Sequence, residues 1–135
     1  MPEHLMPSNP TVQPIVIFGG LLSFPRAYVG MRDALAQFTG QPVWIVEARS
    51  HDWIPSSTRA GWAYLLYKLE RAVHQAVRHS TTGKITLIGH SAGGVIARLY
   101  LSPRPFLGHA YRGLDYVDHL ITLGSPHCNQ WGIRM

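Results

Sequence analysis

Apolar residues along the chain follow two alternating patterns. Segments rich in apolar and β-branched residues cover residues 12–18, 43–46, 84–88 and 117–123, and glycine, proline or polar residues bound them. Runs of this length that are rich in Val and Ile predict buried strands. In the segments 23–40, 58–77 and 93–101, apolar residues recur every three or four positions, which predicts amphipathic helices. The chain therefore alternates strand and helix.

Polar and conformationally special residues mark the ends of the predicted helices. Gly40 closes the first helix, Thr58 can cap the long second one, and Ser102-Pro103 stops the third. The face of the first helix predicted to be buried carries Tyr28, Met31, Leu35 and Phe38.

The alternation predicts an α/β fold, in which a parallel sheet carries helices on both faces and the crossovers are right-handed. In open sheets of this kind, ligands bind at the carboxyl ends of the strands. Residues 1–14 contain four prolines and few apolar side chains, so we expect a disordered arm there. Residues 15–135 are predicted to form one domain.

Composition narrows the class of protein. With 46% hydrophobic and 14% charged residues, the chain is expected to be globular, and no run approaches the roughly 20 apolar residues of a membrane span. The net charge is +5, but the basic residues are dispersed, which argues against nucleic-acid binding and leaves open a peripheral contact with a membrane surface. The single cysteine, Cys128, fits a reducing compartment, so a cytoplasmic location is expected.

One strand-to-helix junction carries a catalytic motif. The predicted third strand runs into Gly89-His90-Ser91-Ala92-Gly93, which matches the G-x-S-x-G nucleophile elbow. Gly89 and Gly93 are needed because side chains there would clash with the strand and the helix. The elbow would present the Ser91 hydroxyl, with the positive end of the helix facing a developing oxyanion. The alternative is a glycine-rich turn in which Ser91 only caps the helix.

The end of the first predicted strand offers amide donors for such an oxyanion. Phe18-Gly19-Gly20-Leu21 lies where a lipase places its oxyanion loop. The backbone amides of Leu21 and Ala92 are the candidate donors, and Leu21 is only narrowly preferred to Gly20. The glycine pair could also form a plain tight turn, whereas a phosphate loop would require a Gly-Lys-Ser/Thr ending that is absent here.

Four segments, taken in chain order, resemble small lipase-like α/β-hydrolases of cyanobacterial and plant type. They are VIFGG at 16–20, RSHDWIP at 49–55, IGHSAGG at 88–94 with Ala97-Arg98, and TLGSPH at 122–127. The resemblance implies a carboxylester hydrolase or lipase that acts on a small-molecule ester or lipid and needs neither metal nor cofactor. It also implies that the four strands lie in the spatial order second, first, third, fourth. Gly20, Asp52, Trp53 and His127 are possible pocket residues.

Members of that family carry the triad Asp and His after two further strands. The resemblance therefore implies that 15–135 is a truncated hydrolase domain, feebly active at best, with the fourth strand as an exposed apolar edge. As substitutes for the triad residues, Asp115 and Asp118 are predicted at the wrong end of the sheet, because they lie at the start of the fourth strand. His119 is expected to be structural. His127 is better placed, about 5 Å across the sheet from the Ser91 strand, but it follows a turn that shapes the pocket floor in the family.

Two further hypotheses about function stay open. The same elbow serves acyltransferases and thioesterases. A non-catalytic binding module could also retain the hydrolase scaffold.

Overall fold

The computed structural model describes residues 10–20, 25–48 and 58–126. Within these ranges the chain forms four parallel strands: β1 at Ile15–Phe18, β2 at Val43–Ile45, β3 at Ile85–His90 and β4 at Val117–Leu123. Their order across the sheet is β2-β1-β3-β4, as the family resemblance implied. The chain moves from β1 outward to β2 and then returns to the other side of β1, so the strand order reverses between β1 and β3. The crevice at such a switch point is where open α/β sheets bind ligands.

Three helices connect the strands: α1 at Val29–Thr39, α2 at Arg59–Val77 and α3 at Ala92–Leu101. Short 3-10 turns at Pro25–Tyr28 and Gly113–Asp115 precede α1 and β4. The predicted end of α1 and the predicted start of α2 are confirmed by their caps, whereas α1 begins at Val29, later than the predicted opening of that helix at Ser23 and Pro25. Thr58 Oγ1 accepts a hydrogen bond of 3.0 Å from the Gly61 amide, and Gly40 ends α1 with a φ of +67°. None of the described helices combines the length and hydropathy needed to cross a bilayer.

Alternating residues of β1 face opposite sides of the sheet. Val16 and Phe18 pack into a core formed with α2 and α3, whereas Ile15 and Ile17 pack with Tyr28 and α1. All four residues of the strand are buried, which is why its sequence is a continuous apolar run. The sheet is thus covered by helices on both faces, which confirms the predicted fold class. The helical residues in the larger core are Leu65, Leu66, Leu69, Val73, Ala76, Ile96, Ala97 and Tyr100.

The first strand begins later than the apolar run predicted. Val12 lies before it and is anchored to the loop after α2, because its amide donates to Thr81 Oγ1 at 2.9 Å and its carbonyl accepts from the Thr81 amide at 2.8 Å. Pro14 is fully buried, and its carbonyl accepts from the Thr86 amide at 2.9 Å. These described residues of the predicted arm therefore lie against the amino edge of the sheet.

Other element boundaries and one buried position also differ from the sequence prediction. Strand β3 continues to His90, because Gly89 and His90 still pair with Thr122 and Leu123 of β4. Helix α3 begins at Ala92, one residue early. The prediction that Phe38 is buried is wrong: it is 90% exposed, since the last turn of α1 reaches the amino edge where the strands begin.

Strand β4 occupies one end of the described sheet. Its side chains Ile121 and Leu123 are 46% and 38% exposed. Within the described residues, β4 is thus the apolar edge that the sequence predicted.

Candidate active site

Ser91 is the single residue between β3 and α3, and its backbone is strained. Its φ is 55° and its ψ is −129°, a region that costs a residue with a Cβ atom about 1–3 kcal/mol. Two hydrogen bonds hold the turn: the Ser91 amide donates to the Leu123 carbonyl at 2.8 Å, and the Gly94 amide donates to the Ser91 carbonyl at 3.0 Å. This is the sharp strand-to-helix turn that a nucleophile elbow requires.

The elbow glycines are required by close backbone contacts. A Cβ atom on Gly89 would lie 2.5 Å from the Gly94 Cα, and one on Gly93 would clash with the carbonyl oxygens of Phe18 and Gly19. Gly94 is a third such position, which the sequence interpretation did not single out, because a Cβ there would clash with Ser125 Oγ. In the sequence, the indication of this constraint was that a second glycine directly follows Gly93. The elbow therefore packs closely against the ends of both β1 and β4.

Gly20 brings the end of β1 directly against Ser91. A Cβ atom at Gly20 would lie 2.8 Å from Ser91 Cβ and 3.2 Å from Ser91 Oγ. The predicted oxyanion segment therefore starts beside Ser91, in the crevice at the switch point between β1 and β3. Ala92 is the first residue of α3, so its amide lies at the positive end of that helix.

Tyr28, which sequence reasoning placed only in the core, joins these elements. Its hydroxyl accepts a hydrogen bond of 3.1 Å from the Gly20 amide and lies 2.9 Å from His90 Nδ1. The Tyr28 and His90 rings meet edge to face, with centroids 5.7 Å apart. Because the Gly20 amide is engaged by Tyr28, Leu21 is the better candidate for the oxyanion donor on this loop. Leu21 itself lies outside the described residues and stays a prediction.

The other predicted pocket residues, Asp52, Trp53 and His127, also lie outside the described ranges. Three described histidines near Ser91 or later in the chain have positions or contacts of their own. His90 faces Tyr28, His109 Nε2 lies 2.9 Å from Glu70 Oε2, and His119 is in the first half of β4.

The carboxylates predicted at the wrong end of the sheet are found there. Asp115 ends the 3-10 turn before β4, and Asp118 is the second residue of that strand. Both lie near the amino ends of the strands, whereas Ser91 follows the carboxyl end of β3.

The clear pKa shifts in the described residues occur away from Ser91. Tyr100, in the last turn of α3, is fully buried, and its pKa is raised by burial first and by the nearby Glu70, Tyr116 and Asp115 next. Burial and Glu70 also raise the pKa of Tyr111. Both phenols are therefore neutral at physiological pH, and they belong to the core rather than to the elbow.

Sequence comparisons agree with this architecture. Residues 63–131 match the PGAP1-like alpha/beta domain. The chain is 30% identical over 116 residues to the sn-1-specific diacylglycerol lipase ABHD11 of Danio rerio. This alignment covers 86% of this chain and 34% of that protein. It is 28% identical over 122 residues to the protein of the same name from Mus musculus, covering 89% of this chain and 35% of that protein. The chain thus spans about a third of the length of these relatives.

The parallel sheet, the strained serine at its switch point and these matches define the class as an α/β-hydrolase fold of the lipase-like type. The chain belongs to the PGAP1-like alpha/beta domain family. The family resemblance seen in the sequence is thereby confirmed.

Proposed function

We propose that this chain carries the nucleophile of a serine hydrolase that cleaves lipid carboxylic esters through an acyl-enzyme on Ser91. The observation that carries the proposal is the backbone of Ser91, strained at a φ of 55° between β3 and α3, with Gly20 packed against its side chain. Backbone strain of this kind concentrates at functional sites. A serine that only capped α3 would have no need of it, and Ser91 makes no side-chain cap hydrogen bond.

In the proposed reaction, Ser91 Oγ attacks the carbonyl carbon of the ester and gives its proton to a general base. The tetrahedral intermediate collapses, the bond to the alcohol oxygen breaks, and the base returns the proton to the leaving alcohol. Water then attacks the acyl-Ser91 ester with the help of the same base, which releases the carboxylic acid and restores Ser91. Atoms and protons balance with water as the co-reactant.

The chain's own contribution to this reaction is presentation of Ser91 and stabilisation of the oxyanion. We assign the amide of Ala92, at the start of α3, and that of Leu21, next to Gly20, as the donors. Loss of a single oxyanion donor typically lowers kcat by about 10²–10³-fold. The general base is a histidine outside the described ranges in this proposal, because His90 and His109 are held by Tyr28 and Glu70.

The proposed substrate class is a glycerolipid ester. The relatives named above are diacylglycerol lipases, and their alignment covers 86–89% of this chain, including the Ser91 elbow. An enzyme of this class has to meet its substrate at a lipid surface, so the peripheral membrane contact that the sequence left open forms part of the proposal.

The test compares two serine substitutions in the natural full-length chain. Hydrolysis of p-nitrophenyl esters of increasing acyl length is measured for wild type, Ser91→Ala and the control Ser102→Ala, which alters a serine just beyond α3. We expect Ser91→Ala to lower kcat by at least about 10⁴-fold, as triad serines do, and Ser102→Ala to leave it unchanged. Turnover that survives in Ser91→Ala would contradict the proposal.

A further inference from the structure

Tyr28 connects three parts of the fold at the nucleophile. It is the last residue of the 3-10 turn before α1, it is only 6% exposed, and its hydroxyl lies between the Gly20 amide and His90 Nδ1. Gly20 is the second residue after β1, and His90 is the residue before Ser91. One hydroxyl thus links the start of the proposed oxyanion loop to the elbow itself.

We propose that Tyr28 is a positioning residue: its hydroxyl holds the Gly20 backbone against Ser91 in the arrangement that ester cleavage needs. The inference rests on the proposed function of Ser91. It adds a residue that has no place in the nucleophile motif and that the sequence presents only as an apolar helix position.

The ring of Tyr28 is held by packing that does not need the hydroxyl. It lies in a core with Ile15, Ile17 and Ile88, and it fits against Gly19, where any Cβ atom would clash with the ring. Removal of the oxygen alone should therefore leave the ring in place. This separates the role of the hydrogen bonds from the role of the ring.

Hydrogen-bond roles follow from the geometry. The hydroxyl oxygen accepts from the Gly20 N–H, which leaves its own proton available to be donated to His90 Nδ1. Without the hydroxyl, the Gly20 amide and His90 Nδ1 both lose this partner beside Ser91. The Gly20 backbone lies so close to Ser91 that a Cβ atom there would be 3.2 Å from Ser91 Oγ, so a small shift of Gly20 changes the site.

The main test is Tyr28→Phe in the natural full-length chain. Because a displacement of about 1 Å in a catalytic site can cost about 10²-fold in rate, we expect kcat to fall by roughly 10–100-fold and KM to change by less than about twofold. Inhibition by a trifluoromethyl ketone, which forms a tetrahedral adduct with serine, should weaken by the same factor as kcat/KM. Hydrogen exchange at the Gly20 amide should accelerate in the same variant.

The control is Tyr67→Phe, which removes an exposed hydroxyl that Arg71 contacts at 3.3 Å, and it should leave kcat, KM and inhibition unchanged. A second pair of variants tests the other partner. His90→Asn keeps an acceptor near the position of Nδ1 and should retain most of the rate, whereas His90→Leu should behave like Tyr28→Phe. This pair decides the question if Tyr28→Phe does not fold.

The positioning role and the hydrolase function fail in different ways. If turnover depends on Ser91 but kcat and inhibitor affinity are unchanged in Tyr28→Phe and in His90→Leu, the positioning role is overturned and the hydrolase stands. A Tyr28→Phe variant that loses stability with a normal kcat also overturns the positioning role, since the hydroxyl is then only structural. Turnover independent of Ser91 would overturn both.

Discussion

Two buried tyrosines in this fold have different surroundings. Tyr28 is 6% exposed, and its hydroxyl bonds to the Gly20 amide and contacts His90 beside Ser91. Tyr100 is completely buried nine residues beyond Ser91 on α3, about 13 Å along the helix, and its hydroxyl has no partner among the described residues. Both phenols fill core volume. Only the hydroxyl of Tyr28 bonds to residues that surround Ser91, the proposed nucleophile.

The difference shows that burial alone does not identify a functional residue. The strongly shifted pKa belongs to Tyr100, which lies away from Ser91, and burial is the largest cause of the shift. Tyr28 is distinguished instead by the identity of its partners. Because the two environments differ, substitutions in each region should have different and even opposite effects, and these can be ranked.

The largest effect is expected at the elbow itself. In Gly93→Val, the new side chain would meet the backbone carbonyls of Phe18 and Gly19, which cannot move without disturbing β1. We expect a loss of at least about 3 kcal/mol in the free energy of unfolding, measured by chemical denaturation. Gly30→Ala is the control, since the Cβ there has open space on α1, and it should gain about 0.5–1 kcal/mol. Equal effects of the two variants would contradict the backbone packing described at the elbow.

The strain at Ser91 gives the next largest effect. Glycine tolerates a φ of 55° and a ψ of −129° without a Cβ penalty, so Ser91→Gly should raise the free energy of unfolding by about 1–2 kcal/mol over Ser91→Ala, which keeps the Cβ atom. Both variants should be inactive. Equal denaturation midpoints for the two would show that the turn stores no strain.

Removal of each buried hydroxyl should change stability in opposite directions. In Tyr100→Phe an unpartnered buried oxygen disappears, so we expect a gain of about 1 kcal/mol; in Tyr28→Phe a satisfied hydrogen bond is lost, and we expect a loss of about 1 kcal/mol. The measurement is the urea midpoint of both variants beside wild type. A change of the same sign in both would remove the distinction between the two tyrosines.

Because the pKa of Tyr100 is raised in the folded state, the free energy of unfolding should decrease at alkaline pH. The unfolded phenol ionises near its ordinary value of 10.0, while the folded one resists ionisation. Its contribution to stability is therefore complete below that pH and is lost as pH rises above it. Denaturation midpoints measured between about pH 8 and 11 should fall less steeply in Tyr100→Phe than in wild type. Parallel curves would contradict the assignment.

The smallest effect is expected at Phe38. Because this side chain is 90% exposed, Phe38→Ser should change the free energy of unfolding by less than about 0.5 kcal/mol, whereas a buried phenylalanine would cost about 3–5 kcal/mol. Leu35→Ser, on the part of α1 that packs against the sheet, is the matched comparison and should cost more.

The sequence predictions are accurate where the residues that determine a feature are close together in the chain. The strands, the caps at Thr58 and Gly40 and the elbow around Ser91 depend on short segments, and the structure bears these segments out with shifts of one to three residues at some ends. Tyr28 could not be recognised in this way, because its partners lie 8 and 62 residues away. Its spacing on the helix indicates only a buried face.

Phe38 and Gly94 show the same limit of sequence patterns, one at a position predicted to be buried and the other at a constraint that was not predicted. Phe38 fits the helical apolar period, yet periodicity does not say where the sheet beneath the helix begins. Gly94 is one of a glycine pair, and its constraint comes from Ser125, which follows β4. In both cases tertiary packing, which local spacing does not reveal, decides the environment of the residue.

The central claim, that Ser91 is a nucleophile, is tested most directly by covalent labelling. The natural full-length chain is treated with a fluorophosphonate, and the modified peptide is identified by mass spectrometry. We predict one phosphonylated residue, Ser91, and no labelling of Ser91→Ala. An unmodified Ser91, or an adduct on another residue, would contradict the claim.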